Sequence, residues 1–214
     1  MRRCFDIMLS TLSLVVLSPL LLVVALMVML DSQGGAFYLA PRSGKGGTPF
    51  LMWKFRTMVT GAAKLGSAIT SRQDTRITRM GRLLRATKID EMPQFLNVLS
   101  GQMSLVGPRP EAPEIVALYT KEQRRVLEVK PGITGRVQLD SGEESEQIPA
   151  GTQADHYYVH HLMDRKIQAD LLYLKSRTLL SDIKILMETA GYLGHSAFRL
   201  ITKKQIGQSV KEVL

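Results

Sequence analysis

The residues of this chain best suited to chemistry are two adjacent carboxylates, Asp90 and Glu91. Cationic side chains lie on both sides of them, since Arg85 and Lys88 precede the pair and Arg109 follows in a Gly-Pro-Arg-Pro sequence. Cations at this spacing favour the ionised form of Asp90. A carboxylate pair before a helix is otherwise an ordinary cap with a first-turn acid. The flanking charges therefore favour a site for an anionic substrate, such as a phosphate.

The carboxylate pair is predicted to stand at the start of a helix. Apolar residues recur after it at helical spacing: Met92, Phe95, Leu96, Leu99 and Met103. Pro93 is tolerated there because the first helical turn does not use its missing N–H group. Asp90 is thus expected near a helix N-terminus, where the helix dipole and unpaired N–H groups stabilise an anion.

A set of motifs in a fixed order resembles the bacterial sugar transferase family, the monotopic phosphoglycosyl transferases, over roughly residues 1–190. The matching segments are Lys54-Phe55-Arg56-Thr57-Met58, Asp90-Glu91 with Pro93, Gln94, Asn97, Val98 and Leu99, then Met103–Pro110, Pro131–Gly135 and Asp182–Leu186. Each motif alone is weak, but their number and order make the resemblance specific. The chain departs from the family pattern at Arg136, where many members have tryptophan.

The resemblance implies an enzyme that transfers a sugar-1-phosphate from a UDP-sugar to polyprenol (undecaprenyl) phosphate. The products are a polyprenyl diphosphate sugar and UMP, and the reaction starts polysaccharide or glycoconjugate assembly. Asp90 would form a covalent phosphosugar intermediate, with Glu91 as the second catalytic residue and the Mg2+ ligand. The implied substrate-phosphate-binding residues are Lys54, Arg109 and Asp182, and Arg85 is added because it is the arginine of the basic segment nearest the carboxylate pair. For Asp182, a buried structural acid paired with a basic residue is an equal alternative.

The composition agrees with an anionic partner. The chain has 214 residues and a formal net charge of +9, which favours anionic lipid, nucleic acid or phosphorylated substrates. Five arginines form a basic stripe if their segment is helical: Arg72, Arg76, Arg79, Arg82 and Arg85. The rival functions are a membrane-tethered basic protein that binds anionic lipid or nucleic acid without catalysis, and a membrane-anchored structural subunit. A nucleic-acid partner is not expected, because stacking aromatic residues do not accompany the charge.

An apolar run from Ile7 to Leu30 predicts a membrane helix. Its 24 residues would extend about 36 Å as a helix, and a hydrocarbon core is roughly 30 Å thick. Arg2 precedes the run and Arg42 follows it, so both flanks are positively charged. A helix that crosses the membrane once would place one of these flanks on the outer side, in conflict with the positive-inside rule. Ser18-Pro19 lies near the middle, where proline removes a backbone hydrogen bond. We therefore expect a re-entrant helix broken at Ser18-Pro19, with both flanks on the cytoplasmic face of the bacterial inner membrane.

The expected fold is a helix-rich α+β domain with a few short strands and no large parallel sheet. Residues 1–33 would form the anchor, 34–190 the cytoplasmic catalytic domain, and 191–214 a tail at the membrane surface or disordered. Strands are predicted at 36–39 and 49–58, and one amphipathic helix within 110–130. The glycines of the Pro131–Gly135 motif are expected to allow close approach to a ligand. The sugar and the oligomeric state stay open, with a homodimer as one alternative.

Two further features have ordinary interpretations. His156 and His160 share a helix face if their segment is helical, but the spacing fixes no third metal ligand, so surface or packing histidines are expected. Trp53 is expected to pack in the core or at an interface. Cys4 is the only cysteine, so the chain has no intrachain disulfide.

Overall fold

The computed structural model describes residues 1–62, 65, 74–142, 147–149 and 152–212, with side chains described up to His195. The helices are α1 Arg2–Asp31, α2 Arg79–Thr87, α3 Phe95–Leu99, α4 Pro113–Ala117, α5 Arg136–Ser141, α6 Ala154–Tyr157, α7 Met163–Ser176 and α8 Leu179–Glu212. The strands are β1 Phe37–Ser43, β2 Pro49–Phe55, β3 Ser104–Val106 and β4 Gly132–Thr134. They form two two-stranded sheets in the described part, which agrees with the helix-rich α+β prediction.

Helix α1 continues through the predicted break. Among the described residues it is the one helix long and apolar enough to cross a membrane, judged by length and composition. Pro19 lies inside it and cannot donate to the carbonyl of Val15, four residues earlier. The Ser18 hydroxyl donates to that carbonyl instead, at 2.8 Å. The helix is therefore not interrupted at Ser18-Pro19, and the serine satisfies the group that the proline leaves free.

The N-terminal end of α1 is bonded to the rest of the fold. Asp6 is buried and accepts hydrogen bonds from the Ser104 hydroxyl at 2.7 Å and the Leu105 N–H at 3.3 Å. Arg3 donates to the carbonyls of Val98 and Leu99, the last residues of α3, at 2.5 and 2.9 Å. A guanidinium suits a helix C-terminus, where backbone carbonyls lack intrahelical partners.

The C-terminal end of α1 is held by Arg56, the residue directly after β2. Its guanidinium is buried and donates to the carbonyls of five residues in and just after α1: Val28, Ser32, Gln33, Gly34 and Gly35. Asp31 also accepts from the Met80 N–H at the start of α2, at 3.2 Å. Both ends of α1 therefore lie on the same domain, while none of residues 11–23 is buried.

Strands β1 and β2 form an antiparallel hairpin whose register runs from Phe37 opposite Phe55 to Ser43 opposite Pro49. The sequence predicted both strands, although β1 is longer and β2 shorter than expected. One face of the hairpin supplies Ala40, Phe50 and Met52 to a buried cluster with Val98, Met103, Leu105 and Val106. The hairpin is thereby fixed against α3 and β3.

The two glycine-containing motifs that follow the carboxylate pair pack against each other. Strands β3 and β4 are parallel, and the Gly132 N–H donates to the Pro108 carbonyl at 2.9 Å. A Cβ on Gly132 would lie 2.1 Å from the Gly107 nitrogen, and one on Gly135 would lie 2.4 Å from the Gly107 oxygen. These glycines are therefore explained by their close approach to the backbone of Gly107, and the approach of a ligand stays a prediction.

The predicted amphipathic helix over 110–130 is also wrong in form. The segment contains the short α4 and a separate 3-10 helix, Gln123–Glu128. Ile115, Val116 and Val126 nevertheless face one buried cluster, which includes Tyr158 and Ile167. Further along the chain, α8 runs without a break past residue 190, where the tail was expected to begin.

Candidate active site

A cleft of about 970 Å³ lies between the hairpin, α2, the Gly-Pro-Arg-Pro segment and α8. Its lining is rich in cations: Arg42, Lys54, Arg56, Arg76, Arg82, Arg85, Lys88, Arg109 and Lys166. Three carboxylates line it as well, namely Asp90, Glu91 and Glu111. The excess of positive charge suits a substrate with several phosphate oxygens.

The backbone turns sharply to bring the carboxylate pair into the cleft wall. Helix α2 begins with the Thr78 side chain accepting from the Gly81 N–H, at 2.9 Å, and ends at Lys88, whose φ of 60° is left-handed. A left-handed residue is a common way to end a helix, and it starts a new 3-10 helix, Ile89–Gln94, in another direction. Asp90 and Glu91 fall in its first turn and are buried, as the expected helix start required.

Glu91 is held by two of the predicted phosphate ligands. Its Oε1 atom lies 2.7 Å from Lys54 Nζ and 2.7 Å from an Arg109 nitrogen, and its Oε2 atom accepts from Arg109 at 3.3 Å. Burial would raise the pKa of Glu91, but Arg109, Lys54 and Lys88 outweigh burial and hold that pKa well below its ordinary value. Glu91 is therefore an ionised acid in the free protein.

Asp90 has a different environment from its neighbour. Its Oδ1 atom is buried and has no hydrogen-bond partner among the described residues. Burial, and then the charge of Glu91, raise the pKa of Asp90 despite Lys54, Lys88 and Arg85. The expectation that nearby cations dominate Asp90 is therefore wrong for the free protein, because burial and the charge of Glu91 outweigh them.

Arg85 reaches the cleft through a close contact between α2 and the end of the hairpin. Its Nε atom donates to the Thr57 hydroxyl at 2.9 Å. A Cβ on Gly81 would lie 2.0 Å from the Thr57 carbonyl oxygen, so only glycine permits this approach. Arg85 thus lines the cleft, as predicted for a phosphate-binding residue.

The four side chains of the Lys54-Phe55-Arg56-Thr57 motif each make different contacts. Lys54 bonds to Glu91, while Phe55 enters a buried cluster with Val24 and Val28 of α1. Arg56 holds the end of α1 and Thr57 holds Arg85. The motif therefore joins the apolar helix to the carboxylate pair.

Asp182 does not line the cleft with the other predicted ligands. It is buried and bonds to Arg177, 2.9 Å from Oδ1, to the Tyr173 hydroxyl at 2.7 Å, and to Arg2 at 3.2 Å. Arg177 also donates to the Val106 carbonyl at 2.8 Å. This geometry favours the alternative of a buried structural acid.

Other candidate residues lie apart from the carboxylates. Arg136 donates to Asp140 and, at 2.8 Å, to Glu188. His156 and His160 have ring centroids 4.2 Å apart, but the described residues contain no group of three or more His, Cys, Asp or Glu side chains able to hold a metal. The basic stripe divides, because Arg76 precedes α2 and pairs with Asp74, and Arg72 lies outside the described residues.

Sequence reasoning missed the role of Asn97. This residue is fully buried, accepts from the Trp53 N–H at 2.9 Å and donates to the Leu51 carbonyl at 2.8 Å. Its side chain therefore attaches α3 to the free edge of β2. A polar residue among Val98 and Leu99 was the available signal, since buried polar groups need partners.

The residues present fit a magnesium ion in part. Asp90 Oδ1 is a buried carboxylate oxygen without a partner among the described residues, and each Glu91 oxygen has lone-pair capacity beyond its present bonds. Mg2+ is typically bound by one or two carboxylates together with phosphate oxygens and water. Glu91 could therefore hold the ion, with Asp90 beside it, when a diphosphate supplies the remaining oxygens.

Comparison with known proteins identifies the family. Residues 1–195 match a family model described as bacterial sugar transferase. An "Undecaprenyl-phosphate glucose phosphotransferase" of Komagataeibacter xylinus is 41% identical over 195 residues, which cover 88% of this chain and 35% of that protein. A "UDP-glucose:undecaprenyl-phosphate glucose-1-phosphate transferase" of Escherichia coli K12 is 34% identical over 208 residues, covering 92% and 41%. An "Exopolysaccharide production protein PSS" of Rhizobium leguminosarum bv. phaseoli is 37% identical over 200 residues, covering 88% and 92%. This chain spans less than half the length of the first two relatives.

Proposed function

Because this chain belongs to the bacterial sugar transferase family, we propose that it transfers a sugar-1-phosphate from a UDP-sugar to polyprenol (undecaprenyl) phosphate. The relatives named above as undecaprenyl-phosphate transferases supply the substrate classes. The products would be a polyprenyl diphosphate sugar and UMP. Such a reaction is an initiating step of polysaccharide or glycoconjugate synthesis on a membrane.

The observation that carries the mechanism is the unpartnered, buried Oδ1 atom of Asp90 in a cation-lined cleft. In the first step, a carboxylate oxygen of Asp90 attacks the β-phosphorus of the UDP-sugar. A new oxygen–phosphorus bond forms, the bond to the bridging oxygen breaks, and UMP leaves with the electron pair. The sugar phosphate is then covalently bound to Asp90.

In the second step, the phosphate oxygen of the polyprenol phosphate attacks the same phosphorus. The bond to Asp90 breaks, the carboxylate is regenerated and the polyprenyl diphosphate sugar leaves. Division into two displacements means that the two anionic substrates need not occupy the cleft together. This order suits a single nucleophile in one cleft.

The cations that hold Glu91 would exchange partners when substrate binds. Lys54 and Arg109 each contact Glu91 at 2.7 Å and line the cleft. A diphosphate beside them offers further oxygens, and Arg109 can bind them in a bidentate manner. Arg85 would remain on Thr57 and present its other nitrogens to the phosphates. The three side chains would then neutralise charge on the leaving UMP.

The proposed cofactor is Mg2+, bound to Glu91 with Asp90 nearby. When bound, it would neutralise charge on the diphosphate and the leaving group. Glu91 suits this role because its pKa lies well below the ordinary value and its carboxylate is therefore available to a cation at neutral pH.

We place the chain at the cytoplasmic face of the bacterial inner membrane, with α1 as a re-entrant anchor. Arg3 and Asp6 fasten the N-terminal end of α1, and Arg56 fastens the C-terminal end, to the same domain. A helix crossing a bilayer would carry its two ends to opposite sides. A bend near Pro19, where one backbone hydrogen bond is already missing, would return the chain to the side it left.

The decisive experiment omits the acceptor. Wild-type protein incubated with a panel of UDP-sugars and Mg2+ should release up to one UMP per protein with the correct donor. Its intact mass should rise by one phosphosugar, and peptide mapping should place the addition on Asp90. Asp90→Asn should gain no mass. The matched control is Asp140→Asn, which changes an exposed aspartate outside the cleft lining and should label normally.

The two-step mechanism fails if turnover with acceptor is normal while neither the adduct nor acceptor-independent UMP is found. A chain that turns over no UDP-sugar in the panel, yet binds vesicles, would instead support the noncatalytic rival.

A further inference from the structure

The outward face of the β1–β2 hairpin is apolar at three of its four cross-strand pairs, and the fourth pairs a buried Ser43 with Pro49. Side chains alternate between the two faces of a hairpin, and the strand register fixes which residues share this face. We call it the outer hairpin face, and its apolar cross-strand pairs are Phe37 with Phe55, Leu39 with Trp53, and Pro41 with Leu51. The usual pattern for an antiparallel sheet is a polar outward face, so these pairs need another explanation than contact with water.

In the first pair, the apolar helix covers Phe55, while Phe37 stays 45% exposed. Phe55 is 1% exposed and belongs to a buried cluster with Val24 and Val28 of α1. Phe37 stacks on Phe55 with ring centroids 5.1 Å apart. The surface that receives α1 therefore continues onto the other two pairs without a charged residue between them.

The remaining pairs are open. Leu39 is 39% exposed and Leu51 is 50% exposed, and Pro41 is exposed while Trp53 is half-buried. The Trp53 ring meets Phe37 edge to face at 5.6 Å. A contiguous exposed patch of this kind marks an interaction surface more often than chance, and tryptophan is enriched where apolar and aqueous phases meet.

We infer that the outer hairpin face lies in the lipid interface as a second membrane contact beside α1. The occupant is lipid because the face continues the α1 surface, whose exposed residues between the two fastened ends are uncharged and, apart from Thr11 and Ser18, apolar. The opposite hairpin face carries Lys54 toward Glu91, so this orientation would hold the cleft close to the bilayer. The inference rests on the membrane anchoring of α1 proposed above.

The test uses the native fluorophore, because Trp53 is the only tryptophan of the chain. The full chain is reconstituted into vesicles of phosphatidylethanolamine and phosphatidylglycerol. The vesicles are unbrominated, brominated near the carbonyl end of the acyl chain, or brominated near its methyl end. We expect Trp53 emission to be quenched by shallow bromine, less by deep bromine, and little by acrylamide in the aqueous phase.

A control locates the contact. In a Trp53→Phe background, Leu51→Trp should reproduce the quenching. Leu172→Trp, on a 68% exposed residue of α7 outside this face, should be quenched by acrylamide and not by brominated lipid. Equal lipid quenching at both positions would overturn the assignment, because it would not be specific to the hairpin.

Other outcomes are equally decisive. If the protein floats with vesicles but bromine at either depth leaves Trp53 emission unchanged, the inference is wrong while the anchoring of α1 stands. If Trp53 is shielded from both quenchers and its emission changes with protein-to-lipid ratio, a second copy of the chain covers the face, which also overturns the lipid assignment. If the protein does not float with the vesicles, both the anchoring of α1 and the lipid contact of the hairpin are wrong.

Discussion

Lys54 Nζ lies 2.7 Å from Glu91 Oε1, with the two side chains only 16% and 11% exposed. This contact joins β2 to the 3-10 helix that carries the carboxylate pair. Ion pairs removed from water depend on both partners, since loss of one leaves an uncompensated charge. Lys54 therefore stabilises the site in the absence of substrate, in addition to its proposed role in binding a substrate phosphate.

Replacement of Lys54 should lower both stability and activity. Lys54→Met removes one of the two cations that bond to Glu91, and we expect the free energy of unfolding to fall by about 3 kcal/mol. Lys54→Arg keeps the charge and should recover much of the stability. Thermal and denaturant unfolding in detergent would measure both effects. A Lys54→Met protein as stable as wild type would show that Lys54 is not needed to satisfy Glu91.

Removal of the metal should abolish turnover with UDP-sugar and polyprenol phosphate, and added Mg2+ should restore it. Glu91→Gln keeps the shape of the side chain but loses its charge, so it should form the Asp90 adduct slowly and need more Mg2+. Rates measured across a Mg2+ titration test this, with Glu188→Gln outside the cleft lining as the control. Full activity in excess EDTA would take the metal out of the mechanism.

Replacement of Gly81 should displace α2 and, with it, the Arg85 side chain that lines the cleft. In Gly81→Ala the new Cβ would lie 2.0 Å from the Thr57 oxygen, so α2 must move and carry Arg85 with it. We expect a loss of about 2 kcal/mol in unfolding free energy, together with a raised KM for UDP-sugar. Gly191→Ala in α8 is the matched control, because its Cβ meets nothing within 4 Å. It should be neutral or slightly stabilising, and equal losses in both variants would contradict the packing argument.

Asp170 should make stability depend on pH. Burial, and then the charge of Glu111, raise its pKa to about 7, although Lys166 opposes them. The native state therefore keeps a proton that the unfolded state releases near its ordinary value of 3.8. This contribution is complete below that value and is lost as pH rises toward 7, at up to about 1.4 kcal/mol per pH unit. Asp170→Asn should flatten the fall, as measured by denaturant unfolding between pH 4 and 8. The same slope in the variant would assign it to another group.

The two ends of α1 should be accessible from the same side of the membrane. Cys4 is exposed and is the chain's only cysteine, so it reports on the N-terminal end. Gln33→Cys in a Cys4→Ser background reports on the other end. An impermeant thiol reagent should reach both in inverted inner-membrane vesicles and neither in intact cells. Pro19→Ala restores a missing backbone hydrogen bond and should shift α1 toward a full span, while labelling of wild type on opposite sides would refute re-entry.

The sequence was informative where one short segment determined the result. The hairpin, the helix start at Asp90 and the apolar helix each follow from local alternation, proline placement or length. The carboxylate or carbonyl that each cation contacts could not be predicted from the sequence, because these contacts join segments that are far apart in the chain. Lys54 and Glu91 are 37 positions apart, and Arg56 reaches back 28 positions to Val28. For the same reason, the glycines of Pro131–Gly135 were assigned to a ligand, although they pack against Gly107.

The hydrogen bonds from Arg56 to the end of α1 fix the distance between that helix and the carboxylate pair. Lys54 lies in β2 and Arg56 directly follows the strand, roughly 7 Å further along the extended chain. Lys54 contacts Glu91, and Arg56 bonds to the end of the apolar helix. With a flexible linker in place of this connection, the distance between the domain and the bilayer would vary. This short connection would instead fix the distance between the bilayer and Glu91 when α1 is anchored as proposed. It would thereby set the depth at which the phosphate of the proposed carrier lipid must lie.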